Sequence, residues 1–418
     1  MNIERLEKTL EIVNQFGFTD EGMNRLAYTE SEQQAVQYLV ELFEQEGMTV
    51  KIDAAGNVIA RREGMDSQLP AVVCGSHIDT VYNGGKYDGT LGVVAGLEVI
   101  RTLNDKEITT KHPIEIIIFA CEESARFGVS TIGSMAMIGE FQDAFLRLKD
   151  KEGISLQTAM EQCNLNPRQI ERAYKSPKEV KVFYELHVEQ GPVLEREQKQ
   201  IGIVTGIAAP TRFHVQVRGE SAHSGTTPME LRKDAFLGAS EIALALEEAA
   251  ICEKKYGTVA TVGTCEVSDG AMNVVPGKVD IAIDIRSISM ESKNRVIEKL
   301  YDVITSVKEK RQLSIDVKKL YDERPVKIKE KIVQTLVDVT ESLNMSYLKM
   351  PSGAGHDAMM MAKAYPTGII FVPSKDGLSH NKDEFTSMDQ IADGVRLLQE
   401  VILREALIVK QSYVQNYG

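Results

Sequence analysis

Ala71-Val72-Val73-Cys74-Gly75-Ser76-His77-Ile78-Asp79-Thr80-Val81-Tyr82-Asn83-Gly84-Gly85-Lys86-Tyr87-Asp88-Gly89 is the stretch that decides the fold. Residues 71–74 form a short apolar strand, and a glycine-rich loop follows. Residues 89–100 then read as a helix through Val93, Val94, Leu97 and Ile100. Residues 114–121 make a second apolar run. Strand, helix and strand with continuous apolar runs predict a βαβ crossover in a mostly parallel, buried sheet. Such sheets build their sites beyond the carboxyl ends of the strands, which is where His77 and Asp88 fall.

Outward from this unit, Thr29 with Glu32 predicts a capping box, followed by a helix through Val36, Leu39, Val40 and Phe43 that Gly47 closes. Residues 143–176 are polar and helix-prone. After Pro210 the pattern changes: Phe213, Val215 and Val217 alternate with polar residues, as do Ile281, Ile283 and Ile285. Alternation predicts antiparallel strands with one wet face, hence a separate α+β domain. The buried style returns in residues 368–372, and Ile391, Val395, Leu398 and Ile402 line a closing helix. The expected architecture is α/β: a mostly parallel-sheet catalytic domain split across 1–211 and 324–418, with an inserted domain at 212–323.

The chain has 418 residues, 43% hydrophobic and 26% charged, an ordinary soluble composition with room for two cores. A net charge of -13 argues against nucleic acid or an anionic membrane as partner. No apolar run approaches the ~20 residues that span a bilayer, and the charged start does not read as a signal peptide. Five scattered cysteines suggest neither disulfides nor a thiolate zinc site, so a reducing cytoplasm is expected.

The candidate chemistry lies in His77, Asp88, the pair Glu122-Glu123, His187 and His380. His77, Asp88, Glu123 and His187 are ligand types that suit zinc or manganese. The flexible spacer lets His77 and Asp88 reach one ion, and the two oxygens of Asp88 could bridge two. Asp79 could accept the second ring N–H of His77 and fix its tautomer. A lone histidine more often satisfies a buried turn; with Asp79, Asp88 and the spacer the balance reverses. Glu122 and Glu123 leave a buried strand facing different ways, so one carboxylate can ligate while the other faces substrate. Two glutamates crowded there repel unless a cation is near. His187 is weak on its own, and His380 comes from another loop over the same sheet edge. His112 reads as surface and His214 as structural. Together these residues point to metal-assisted hydrolysis.

The motifs Gly75-Ser76-His77-Ile78-Asp79-Thr80, Asn83-Gly84-Gly85, Glu122-Glu123, Glu185-Leu186-His187-Val188-Glu189-Gln190-Gly191-Pro192 and Ala222-His223-Ser224-Gly225-Thr226-Thr227-Pro228 occur along the chain. Asn273-Val274-Val275-Pro276, Ser352-Gly353-Ala354-Gly355-His356-Asp357 and Ser379-His380 complete the set. The chain thereby resembles, over nearly its whole length, the M20 metallopeptidase-like amidohydrolases. The resemblance is to the hydantoinase/carbamoylase branch, which holds N-carbamoyl-L-amino acid hydrolases, allantoate amidohydrolases and β-ureidopropionases. Ser224 stands where relatives often carry Ala.

The resemblance implies two divalent ions per subunit (Zn²⁺, Mn²⁺ or Co²⁺), one held by His77, Asp88 and His187, the other by Asp88, Glu123 and His380. Glu122 would be the general base. Gln190 would contact a ureido group, and His223, Asn273 and Arg286 would grip the substrate. The inserted domain would act as lid and as the interface of a homodimer, with His223 reaching the partner's site. For Arg286 a plain ion pair with Asp284 is an equal alternative from the residues alone. The expected reaction is hydrolysis of an N-carbamoyl-L-amino acid, a small ureido substrate. Allantoate deimination is the alternative, ahead of a dinuclear aminopeptidase, an aminoacylase or a metal-free binding protein.

Overall fold

The computed structural model describes residues 1–408, which pack as two compact units. The first comprises Met1–Thr205, Ile328–Met350 and the segment from His356 onward; the second comprises Gly206–Lys327 and Pro351–Gly355. The junctions expected at 211/212 and 323/324 therefore lie a few residues inside the second unit. The physical reason is that strand Ile201–Ile207 runs almost directly into strand Ala209–Arg218, so the polar alternation begins after the chain has already crossed. Pro351–Gly355, expected in the first domain, packs with the second unit.

The first unit is built on seven strands of a nine-stranded sheet, in the spatial order Ile201–Ile207, Thr367–Val372, Val180–Val188, Ala71–His77, Ile114–Phe119, Val58–Arg62 and Thr49–Ile52. The four central members, from Thr367–Val372 to Ile114–Phe119, are mutually parallel, and the flanking strands are antiparallel. Strands Ala71–His77, Ile114–Phe119 and Thr367–Val372 are buried throughout, as continuous apolar runs require. Each fully buried Val or Ile contributes about 1.5–3 kcal/mol relative to exposure, so this central sheet is the stiff part of the unit. Helix Thr90–Asp105 makes the predicted crossover and is buried from Thr90 to Leu103. With Ile3–Val13, Glu330–Ser342 and Met388–Ala406 it shares one apolar cluster on one sheet face. Ile370 and Val372 face that cluster, whereas Phe371, pointing the other way, meets the His356 ring at 5.6 Å between centroids.

Two local expectations change. Helix Glu30–Gln45 has Thr29 as N-cap but no side-chain cap: the Thr29 hydroxyl donates to Leu26 O, and Glu32 accepts from the Tyr28 N–H, one residue upstream. A complete capping box occurs instead at Ser387 and Gln390, opening the closing helix. Residues 143–176 form only short pieces, including helix Leu156–Gln162, which close a separate apolar cluster with Tyr28, Ala55 and Phe127.

The second unit has a four-stranded antiparallel sheet in the order Val259–Val267, Lys278–Ser287, Ala209–Arg218, Ser314–Asp322. Phe213, Val215, Val217, Ile281, Ile283 and Ile285 are its buried face, packed on helices Ala235–Cys252 and Met290–Arg311. The alternation read from the sequence is this one-sided burial.

Candidate active site

The four parallel strands deliver their chemistry at one edge. His77 ends its strand, Glu122 and Glu123 follow Phe119 by three and four residues, His187 is next to last in Val180–Val188, and His380 lies on the loop after Val372. Asp88 returns to that edge on the loop from His77. Its carboxylate is the hub: Oδ1 lies 3.1 Å from His187 Nε2 and 3.4 Å from His77 Nε2, and Oδ2 lies 3.1 Å from His380 Nε2. Glu123 Oε1 is 3.2 Å from the same His380 nitrogen. Two donor sets result, His77/Asp88/His187 and Asp88/Glu123/His380, each with ligand atoms within 4.8 Å of one another.

Histidine tautomers decide whether these sets fit a cation. Nδ1 of His77 faces the backbone carbonyl of Asp79 at 2.9 Å, and Nδ1 of His187 faces the carbonyl of Val188 at 2.9 Å. Each carbonyl requires an N–H, so the neutral ring presents an Nε2 lone pair to the Asp88 carboxylate, and that of His187 also accepts the Gly89 N–H at 3.1 Å. Two lone-pair donors facing each other at this distance need a positive charge between them. The donor set therefore fits divalent metal. Protonation is the other way to supply that charge. Burial drives the His77 pKa down, yet Glu122, Asp88 and Asp79 carry it well above the usual imidazole range. Hydrogen bonds to the Asp88 and Glu123 carboxylates push His380 up to about 11. Burial alone would raise Asp88, but the three histidines hold it well below the ordinary carboxylate range.

Asp79 has a different role from the expected one. Its carboxylate is 3.6 Å from His77 Nδ1, farther than its own carbonyl, and it instead accepts the N–H of Glu122 at 3.1 Å and of Glu123 at 2.9 Å. It thus holds the turn that splits the two glutamates. Glu123 goes to His380, while Glu122 stays outside both donor sets with Oε2 3.8 Å from His77 Nε2. Burial pushes the Glu122 carboxyl well above its ordinary range; His77 opposes this, and Glu123 and Asp357 add to it. A carboxylate with raised proton affinity that ligates nothing is suited to carry a proton.

The backbone is bent to make this arrangement. Cys121, Gln190 and His380 all have left-handed φ, at 51°, 59° and 53°, conformations that non-glycine residues hold only when their surroundings impose them. Gly89, at φ +63°, has no alternative: a Cβ there would lie 2.4 Å from His77 Nε2. That contact explains why the Asp88-Gly89 pair is written as it is.

Gln190 sits against the hub. Its Nε2 donates to Asp88 Oδ2 at 2.8 Å and to Ser379 Oγ at 3.2 Å, and its Oε1 is buried with no hydrogen-bond partner among the described residues. His223 and Asn273 are exposed neighbours in the second unit, where the Ser224 N–H bonds to Asn273 O. Arg286 there makes the alternative ion pair: Nε and Nη2 donate to Asp284 at 2.7 and 3.2 Å, and Nη1 donates to Gly353 O. His112, expected at the surface, is buried with Nδ1 on Pro70 O at 2.8 Å, because the turn it occupies is hydrogen-bonded to the end of the closing helix at Ala406. His214 pairs with Asp280 of the neighbouring strand Lys278–Ser287.

Three residues that no sequence signal singled out complete the cluster. His356, inside a quoted motif but without a role, is buried with its ring 4.5 Å from that of His187. Burial keeps it well below the usual imidazole range, so it packs as a neutral wall. Glu185, next to Leu186-His187, accepts from Ser76 Oγ at 2.6 Å and Ala358 N at 2.9 Å, tying two strands together beneath the site. Glu384 is the third.

Fold and site together define a class: a mixed α/β protein with candidate divalent-metal ligands clustered at the carboxyl edge of its sheet. The sequence model of Peptidase family M20/M25/M40 matches residues 73–404, and the chain belongs to this family. A relative from Haemophilus influenzae, described as an uncharacterised hydrolase, is 44% identical over 97% of the chain and 99% of its own length. The N-carbamoyl-L-amino-acid amidohydrolase of a Pseudomonas strain is 36% identical over 96% of the chain and 98% of its own. Among solved structures, a hydantoinase/carbamoylase family amidase from Burkholderia multivorans superposes with a TM-score of 0.90 at 33% identity, covering 97% and 98% of the two chains. Among the described residues no helix is long and apolar enough to cross a membrane.

Proposed function

We propose that the chain hydrolyses the carbamoyl C–N bond of an N-carbamoyl-L-amino acid, yielding the amino acid, ammonia and carbon dioxide. The observation that carries this reading is the shared carboxylate of Asp88, one oxygen toward each donor set, with Glu122 beside it and outside both. Two ions, zinc, manganese or cobalt, would be held by His77, Asp88 and His187 and by Asp88, Glu123 and His380. When bound, such a pair supplies Lewis acidity at the carbonyl and acidifies water. Glu122 takes the proton of the attacking water and returns it to the leaving nitrogen. Gln190 contacts the ureido group, with its unpaired Oε1 as an acceptor for a ureido N–H. His223 and Asn273 donate to the developing oxyanion. Arg286 binds the substrate carboxylate, for which a planar guanidinium suits two parallel hydrogen bonds. Allantoate is the second reading, because the motifs around His223 and His356 resemble that group equally well.

Ammonia release over a panel of N-carbamoyl-L-amino acids, their neutral amides, allantoate and dipeptides tests this, run on the wild type and on Arg286→Lys. N-carbamoyl acids should be the best substrates. Arg286→Lys should cut kcat/KM on them by roughly 30-fold to a few thousand-fold, the equivalent of ~2–5 kcal/mol for a lost charged contact. The amides should lose little. Equal losses on acid and amide would leave Arg286 as the structural partner of Asp284.

We also propose that the second unit dimerises. On helix Ala235–Cys252, Leu237, Leu244 and Ile251 are exposed at seven-residue spacing, with Leu244 66% exposed, and Phe236 lies beside them. That spacing makes one apolar seam, the kind a second copy of the same helix covers. Sedimentation should show a dimer that Leu244→Glu converts to monomer; a wild-type monomer at tens of micromolar would refute the dimer.

A further inference from the structure

The carboxylate of Glu384 is 3% exposed and lies nearly three hundred residues from the loop it holds. Its Oε1 accepts the backbone N–H of Tyr87 at 2.8 Å and of Asp88 at 3.0 Å; its Oε2 accepts the Ser379 hydroxyl at 2.8 Å. Ser379 immediately precedes His380. One side chain therefore bonds the backbone carrying Asp88 to the loop carrying His380. Ser379 Oγ is also 3.2 Å from Asp88 Oδ2, but it has a single proton. The shorter bond to Glu384 takes that proton, so Asp88 Oδ2 receives its hydrogen bond from Gln190 and faces His380. Room for this contact comes from Gly85: a Cβ there would lie 2.3 Å from Glu384 Oε1. That accounts for a glycine in Asn83-Gly84-Gly85, which the proposed chemistry does not use.

We propose that Glu384 is a positioning residue for Asp88, clamping the Asp88 backbone to the His380 loop and so setting how the two donor sets meet. The inference rests on the proposed reading of Asp88 as the ligand common to both sets. A mere loop staple would contribute stability alone; the arrangement here holds the backbone of Asp88 and the residue next to His380 together.

Calorimetric titration of the metal-stripped chain with Mn²⁺, alongside kcat and KM, tests it. Glu384→Ala should weaken one of the two ions by about 10–100-fold, the usual effect of losing a group that orients a ligand, and should lower kcat more than KM. Glu384→Gln keeps an acceptor for both N–H groups and should stay within about tenfold of wild type. Gly85→Ala, which drives the loop off Glu384, should reproduce the alanine defect and add little to it in the double variant. Should Glu384→Ala not fold, Glu384→Gln and Gly85→Ala carry the comparison. Unchanged affinity for both ions in Glu384→Ala or Gly85→Ala, with only a lower Tm, would overturn the role of Glu384, while loss of both ions in Asp88→Ala would still uphold the shared ligand. Retention of an ion in Asp88→Ala would overturn both.

Discussion

Glu122→Gln should lower kcat by roughly 10²–10⁴-fold, the range a positioned proton carrier supplies, while metal content stays near that of wild type. The amide has the same shape but cannot take a proton, and Glu122 stands outside both donor sets. The variant carries a second, opposite signature. Burial raises the folded-state pKa of Glu122 above its ordinary value, with Glu123 and Asp357 contributing. A carboxyl raised on folding contributes stability below its unfolded pKa, and that contribution is lost as pH rises toward the folded value. Above the unfolded value the carboxyl therefore costs the metal-free fold stability that a neutral glutamine does not, so Glu122→Gln should raise its Tm. Activity lost and stability gained together are what a strained functional group predicts. Parallel loss of metal would instead show that Glu122 and Glu123 exchange roles.

Asp88→Ala should lose both ions, from about two per chain to about none, and turnover with them, because its carboxylate belongs to both donor sets and its removal would open both. His380→Ala should weaken one site chiefly, since its Nε2 meets only the set of Asp88 and Glu123. The asymmetry between the two variants is the informative result. Metal analysis is the readout, and equal losses in both would mean that the ions bind as one unit rather than through a shared ligand. The His77 and His187 rings keep their Nδ1 carbonyl partners in either variant, so a folded, metal-free protein is expected.

Much of the site was legible because its ligands sit at strand ends. His77, Glu122-Glu123 and His187 each adjoin a continuous apolar run, and in a parallel sheet such runs lead to one edge. The βαβ unit around residues 71–121 and the alternation of Phe213 and Ile281 show the same thing: period and apolarity are local properties that the backbone obeys directly. The approximate division of the chain follows from the change between those two periods.

Hydrogen-bond partners, near or far in the chain, could be assigned only by packing. Asp79 is two residues from His77, near enough to expect its carboxylate on the ring. Its backbone carbonyl reaches the ring first, which releases the carboxylate to hold the Glu122 turn. The Thr29 hydroxyl found the Leu26 carbonyl, so the cap motif there went unused while Ser387 made the real one. Glu384 carries no periodicity and adjoins no strand; it matters because a chain reversal sets it against Gly85 and the Asp88 amide. What the sequence by itself determined are the elements, their faces and the residues at their ends, since these depend on neighbours one to four positions away. Which oxygen meets which nitrogen was decided by the tertiary structure, where a buried polar group must take the nearest partner available.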